Sequence, residues 1–191
     1  DLTVKCDAIG WARRLSGQLL DTGSIRLFDH DAIDALHGYN EGAWWVQDAA
    51  AALPVKLLGD IKGLKIADLC AAPGGKTAQL AAAGAEVFAI DRSANRLTRL
   101  NQNLARLNLE AQTIVADAIT WRPETLLDAV LIDAPCTATG TIRRHPDIQY
   151  LKTPEDISGV LATQKALLKA AFQMVKPRGV VIYSTCSLQP E

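Results

Sequence analysis

Four cysteines, at positions 6, 70, 136 and 186, are the residues of this chain most able to do covalent chemistry. No two form a CxxC pair, and three histidines are too few to complete a zinc set with them, so no metal is expected. Their separations suggest no disulfide framework. Free thiols in a cytoplasmic enzyme are the simpler expectation. Cys136 closes Asp133-Ala134-Pro135-Cys136, and Cys186 sits in Ser184-Thr185-Cys186-Ser187. Each follows a strand-like β-branched run. Taken singly, such a cysteine is more often a small buried hydrophobe than a nucleophile. Two at adjacent strand ends reverse those odds and become a candidate catalytic pair.

The second chemical stretch is Asp68-Leu69-Cys70-Ala71-Ala72-Pro73-Gly74-Gly75-Lys76-Thr77. A strand ends, two glycines allow close backbone approach to a ligand, and a helix begins with free amides. A Walker A loop is excluded because Cys70 stands where its first glycine belongs. The G-x-G-x-x-G dinucleotide fingerprint is absent too. The loop suits a ligand with a ribose and a carboxylate but no phosphate. Asp91 is placed to accept from ribose hydroxyls, and Asp117 from an adenine amine. Lys76 reads equally as a solvated first-turn lysine or as one reaching the ligand or target.

Elements must hold these residues at one edge. Strands are expected over 65–69, 86–90, 112–116, 129–132 and 179–183, with helices over 76–83, 93–107 and 154–174. Asp91, Asp117 and Asp133 each follow a strand. This alternation predicts an α/β, Rossmann-like doubly wound sheet, whose ligands collect outside the carboxyl ends of its strands. Leu97, Leu100, Leu104 and Leu107 form a core-facing stripe behind a Ser93 N-cap. Pro177 and Gly179 are expected to separate the last helix from the last strand. Residues 1–60 read as a small α+β lead-in segment with an Ala-rich helix over 47–58, and 61–191 as the core. Trp44 and Trp45 read as buried anchors of that lead-in rather than as a stacking face.

DLCAAPGGKT, AIDRS, VADA, LIDAPCTATG, IRRHPDI and YSTCS, in that order, resemble the NOL1/NOP2/Sun family of RNA cytosine-C5 methyltransferases, and within it the bacterial branch specific for small-subunit rRNA. The likeness covers roughly residues 42–191. It implies a class I methyltransferase sheet and S-adenosyl-L-methionine (S-adenosylmethionine) as methyl donor, contacted by residues 70–76, Asp91, Asp117 and Asp133. Carbon 5 of cytosine is too weak a nucleophile to take a sulfonium methyl unaided. A thiolate adding at carbon 6 creates an enamine that can. The Pro-Cys pair used by DNA cytosine methyltransferases points to Cys136 as that thiolate. The family resemblance points to Cys186, with Cys136 assisting release. Asp133 is expected between donor and base.

The resemblance carries departures. Thr137-Ala138 replaces the family's Ser-Gly after Pro-Cys, and Ala49-Ala50 follows Gln47-Asp48 where the family has a serine. The start at Asp1 and the stop at Glu191 read as those of a fragment lacking the family's last strands and its preceding helical RNA-binding domain. A net charge of −1 gives no electrostatic sign of nucleic acid. RNA contact is therefore assigned locally, to Arg143, Arg144 and His145 beyond Cys136. No apolar run is long enough to span a membrane, and a monomer is expected. Two rival readings are a methyltransferase acting on protein or a small molecule, and a non-catalytic RNA-binding module.

Overall fold

The computed structural model describes residues 1–151 and 153–189. Its elements in chain order are β1 (Leu2–Val4), α1 (Ala8–Arg14), β2 (Gln18–Leu19), β3 (Ile25–Arg26), β4 (Trp44–Val46), α2 (Ala49–Lys56), β5 (Lys65–Leu69), α3 (Gly75–Ala82), β6 (Glu86–Asp91), α4 (Ala94–Leu107), β7 (Gln112–Val115), β8 (Leu127–Asp133), α5 (Ile148–Leu151), α6 (Pro154–Phe172) and β9 (Val175–Ser184). The strands β7-β6-β5-β8-β9 form one sheet in that spatial order, every neighbouring pair parallel. The order reverses direction at β5, which makes the gap between β5 and β8 the switch point where ligands of such sheets bind.

Alternation along the central strands sorts the core into two faces. Ile66 of β5, Val87 of β6 and Ala129 and Leu131 of β8 pack with Leu80 of α3 and Val55 of α2. Ala67 and Leu69, Ile90, and Val130 and Ile132 face the other way, onto Leu167, Ala170 and Met174 around α6. On α4 the stripe Leu97, Leu100, Leu104 and Leu107 is buried, and the Ser93 side chain accepts from the Arg96 amide as its N-cap. The sheet is thus covered on both faces, as a purely parallel sheet requires.

The last strand departs from expectation. β9 begins at Val175, and Pro177 and Gly179 lie within it rather than before it. The register jumps from Leu127↔Val175 to Ala129↔Val180, so the intervening residues bulge out of the ladder, with Arg178 at φ 68°. A bulge tolerates proline because its amide owes no ladder hydrogen bond. The one-turn helix α5 carried no periodic signal in the sequence.

Residues 1–46 supply a separate antiparallel sheet, β2-β3-β1-β4. Trp44 is fully buried inside it, and Trp45 packs with Leu97, Leu100 and Leu104 of α4. Both tryptophans therefore anchor, and neither offers a stacking face. Arg106 reinforces the join: it lies over the Tyr39 ring at 4.1 Å and donates to the Tyr39 and Trp44 carbonyls. Gly42 presses on the end of α4 at φ +63°, where an added Cβ would stand 2.2 Å from the Arg106 carbonyl oxygen. Gly42→Ala should cost about 2–4 kcal/mol through left-handed strain and overpacking, read as a lowered urea midpoint.

Candidate active site

Alternation decides which carboxylates point the same way. In β5, Asp68 continues the row of Ile66; in β6, Asp91 continues that of Val87 and Ala89; in β8, Asp133 continues that of Ala129 and Leu131. All three rows face α3, so three acidic side chains converge on the start of one helix. That concentration of negative charge must be offset, and each carboxylate has its own solution.

Asp68 is fully buried and accepts from the Thr77 hydroxyl at 2.6 Å, while its Oδ1 has no hydrogen-bond partner. Burial, opposed by the Thr77 bond and reinforced by Asp133, pushes its carboxyl from near 3.8 up to about 7. Asp91, also buried, accepts from the amides of Ala72 at 3.1 Å and Ser93 at 2.9 Å, and pairs with Arg96 at 3.3 Å. Arg96 also donates to the Ala72 carbonyl, tying the loop to α4. A carboxylate has about four lone-pair sites, so Asp91 keeps room for a further donor. Asp133, partly exposed at the rim, pairs with the buried Lys76 ammonium at 2.8 Å. Lys76 is therefore not the solvated lysine of one sequence reading; its charge is held on Asp133. Asp117 is exposed and caps its own turn by accepting from the Ile119 amide at 2.8 Å.

The loop carrying Cys70, Ala71, Ala72, Pro73, Gly74 and Gly75 crosses this rim. Gly74 caps α3 at φ 104° with no side chain capping the helix, so the first amides of α3 remain free. A Cβ on Gly74 would meet the Leu100 side chain at 2.6 Å. The close approach this glycine permits is thus to α4. Cys70 takes a left-handed conformation, and burial beside Asp91 and Asp68 pushes its thiol up to about 11. It is a packing cysteine at neutral pH.

Cys136 and Cys186 meet. The ladder pairs Asp133 with Ser184, and Ala134 donates to the Ser184 carbonyl, so the chains leave β8 and β9 side by side. The two Sγ atoms lie 3.3 Å apart. Around them Gly140 donates to the Cys186 carbonyl at 2.8 Å, and Leu188 to the Thr139 hydroxyl at 2.9 Å. Thr137 and Ser187 share a hydroxyl contact at 3.0 Å, and Gln164 of α6 donates to the Pro135 carbonyl at 2.9 Å. The side-chain contact with Cys186, with help from Thr185 and the Ala138 amide, draws Cys136 down to about 5 despite partial burial. The same contact pushes Cys186 upward. The two thiols therefore titrate as a pair, with a proton shared across their contact.

Arg143, Arg144 and His145 are exposed in the turns between Thr139 and α5, with no ion-pair partner among the described residues. Their loop is joined to Cys186 through Gly140. Among the described residues no cluster could hold a metal ion, and no helix is long and apolar enough to cross a membrane. Sequence reading missed the fixing residues Thr77, Arg96, Gln164 and Ser187. Only Thr77 carried a signal, as a hydroxyl one turn into the helix that follows Asp68.

Comparison with known proteins settles the lineage. The family model of the 16S rRNA methyltransferase RsmB/F matches residues 56–191. The chain belongs to that family. Ribosomal RNA small subunit methyltransferase B of Cronobacter sakazakii is 44% identical over 173 residues, covering 88% of this chain and 40% of the relative. The chain thus spans about 40% of the length of the curated relatives it matches. A methyltransferase homologue from Pyrococcus horikoshii superposes with a TM-score of 0.84 at 28% identity, over 99% of this chain and 65% of that one. NSun6 from the same organism, solved with SFG, gives 0.74 at 31% identity, over 84% and 42%. The five parallel strands are thus the class I methyltransferase sheet of this RsmB/F member.

Asp68 gives the RsmB/F-type rim a pH signature. Its folded pKa lies above its unfolded value, so its contribution to stability is present below pH about 4 and lost as pH rises through about 7. Asp68→Asn keeps an acceptor for Thr77 and removes that loss. Urea midpoints across this range should fall with pH in the native chain and stay flatter in the variant.

Proposed function

We propose that the whole protein of which these residues form the catalytic part methylates carbon 5 of a cytosine in small-subunit rRNA, using S-adenosylmethionine. The observation that carries this reading is the thiol pair beside the donor loop, since methyl transfer to an oxygen or nitrogen needs no cysteine at all. Residues 1–60 act as a lead-in subdomain on a core formed by 61–191, in a monomeric cytoplasmic enzyme.

The rim fits the methyl donor on chemical grounds. It offers a carboxylate with spare lone pairs at Asp91, an exposed one at Asp117 and uncapped helix amides at Lys76 and Thr77 for an anionic carboxylate. The buried Oδ1 of Asp68 is an unanswered acceptor beneath them. When bound, S-adenosylmethionine supplies an electrophilic sulfonium methyl.

The chain's own residues manage the thiol and the base. Cys186 bonds to carbon 6 of cytosine as its proton passes to Cys136, 3.3 Å away. The ring becomes an enamine whose carbon 5 accepts the methyl group. Asp133, fixed by Lys76, accepts from the cytosine amine and holds the ring over the sulfur. Water at the open rim takes the carbon-5 proton, and the electron pair this frees breaks the bond between Cys186 and carbon 6. Cys136 returns the proton to the departing sulfur, which makes Cys136 the residue of release. Arg143, Arg144 and His145 take phosphates beside the extruded nucleotide.

In the full-length protein, Cys186→Ala should abolish transfer of tritiated methyl to rRNA, and Cys136→Ala should trap a covalent RNA adduct resolved on denaturing gels. Turnover by Cys186→Ala, or label entering protein alone, sinks the reading. Arg143→Glu with Arg144→Glu should weaken rRNA binding at least tenfold at low salt and reduce its salt dependence, with donor binding unchanged in calorimetry.

A further inference from the structure

The two sulfurs at the rim are closer than methyl transfer alone requires. Parallel neighbours run about 4.7–4.9 Å apart, inside the Cα separations of about 4.4–6.8 Å that a disulfide spans. Cys136 and Cys186 leave such neighbours three and two residues past the Asp133↔Ser184 pair, and their Sγ atoms already stand at 3.3 Å. Closing to a bond of about 2.05 Å needs little more than side-chain rotation. A cavity of about 130 Å³ opens on Cys136, lined also by Leu161, Gln164, Tyr183 and Thr185. That space admits several molecules the size of water, each of which occupies about 30 Å³ in the liquid.

We propose that Cys136 and Cys186 form a peroxide-sensitive dithiol, which closes reversibly to an intramolecular disulfide. The order of events follows from the site. Cys136 lines the cavity, and its contact with Cys186 draws its thiol down, so it is the sulfur that meets an incoming peroxide with thiolate character. Its sulfur attacks one oxygen of a hydroperoxide; the O–O bond breaks, leaving a sulfenic acid on Cys136 and, for hydrogen peroxide, a hydroxide. The Cys186 sulfur then attacks the sulfenic sulfur. The S–S bond forms, the S–O bond breaks, and the second hydroxide takes the Cys186 proton. Two thiols and one hydrogen peroxide become one disulfide and two waters, with both sulfurs oxidised and the peroxide reduced.

The remaining cysteines are excluded by position. Cys70 is held by burial among carboxylates with its thiol near 11, and Cys6 belongs to the lead-in segment after β1. The resolving partner is in contact before oxidation begins, so the sulfenic acid is captured before it can be oxidised to the irreversible sulfinic acid. The chemistry stands on this geometry alone; its consequence, arrest of methyl transfer, rests on the proposed function.

The chain is treated with stoichiometric hydrogen peroxide, alkylated, and measured by intact mass and peptide mapping. Two of its four thiols should escape alkylation, the mass should fall by two hydrogens, and a Cys136–Cys186 cross-linked peptide should appear and vanish with dithiothreitol. Cys186→Ser should instead accumulate a dimedone-reactive sulfenic acid on Cys136. Retention of all four thiols, a bridge to Cys6 or Cys70, or direct passage to sulfinic acid overturns the inference. Because the readout is mass, a chain that cross-links but whose reduced full-length protein leaves rRNA unmethylated refutes the proposed function and leaves the dithiol standing.

Discussion

The parallel register of β8 against β9 is the constraint from which the site follows. Asp133 opposite Ser184 fixes where both strands stop, and every rim residue beyond them is placed by counting from that pair. A slip of one residue would turn Asp133 away from Lys76, and it would carry Cys136 out of reach of Cys186. The hydrophobic rows behind them, Ala129 and Leu131 on one face and Val130 and Ile132 on the other, make such a slip costly. Core packing and rim geometry are therefore one specification.

Electrostatics at the rim explains why so acidic a site is tolerable. Asp68, Asp91 and Asp133 converge on α3, and their repulsion is managed in three ways. Asp133 takes the Lys76 charge, Asp91 takes Arg96 and two amides, and Asp68 is pushed toward its neutral form by burial. The cations that do this work come from α3 and α4, the helices that follow the strands bearing Asp68 and Asp91. The same field keeps Cys70 protonated, while hydrogen bonds from Cys186, Thr185 and the Ala138 amide draw the Cys136 thiol down. Two cysteines on one sheet edge thus acquire opposite reactivity from environment alone.

The lead-in segment is bound to this machinery by packing rather than by charge pairs. Trp45 lies against the leucine stripe of α4, and its indole donates to Gln47, which in turn donates to Gln79 of α3. Arg106 and Gly42 close the other end. A shift of this segment would reach the loop over residues 70–75 through Gln79 and Leu100, so residues outside the sheet still influence where the loop sits.

The amino-acid sequence by itself determined the strand and helix alternation of the core, the leucine stripe, the Ser93 cap, the Gly-Gly turn after β5 and the aspartates and cysteines that gather at the rim. These are short-range properties: period, capping and turn chemistry are written within a few residues of where they act. Pairing partners are not. That Lys76 is buried against Asp133, that Gly74 serves Leu100, that Pro177 rides in a bulge, and that the Cys136 and Cys186 sulfurs touch depend on elements tens of residues apart. Distances and desolvation exist only once the sheet has closed, so the tertiary structure alone decided that the two strand-end sulfurs stand 3.3 Å apart and that burial among carboxylates pushes the Cys70 thiol up.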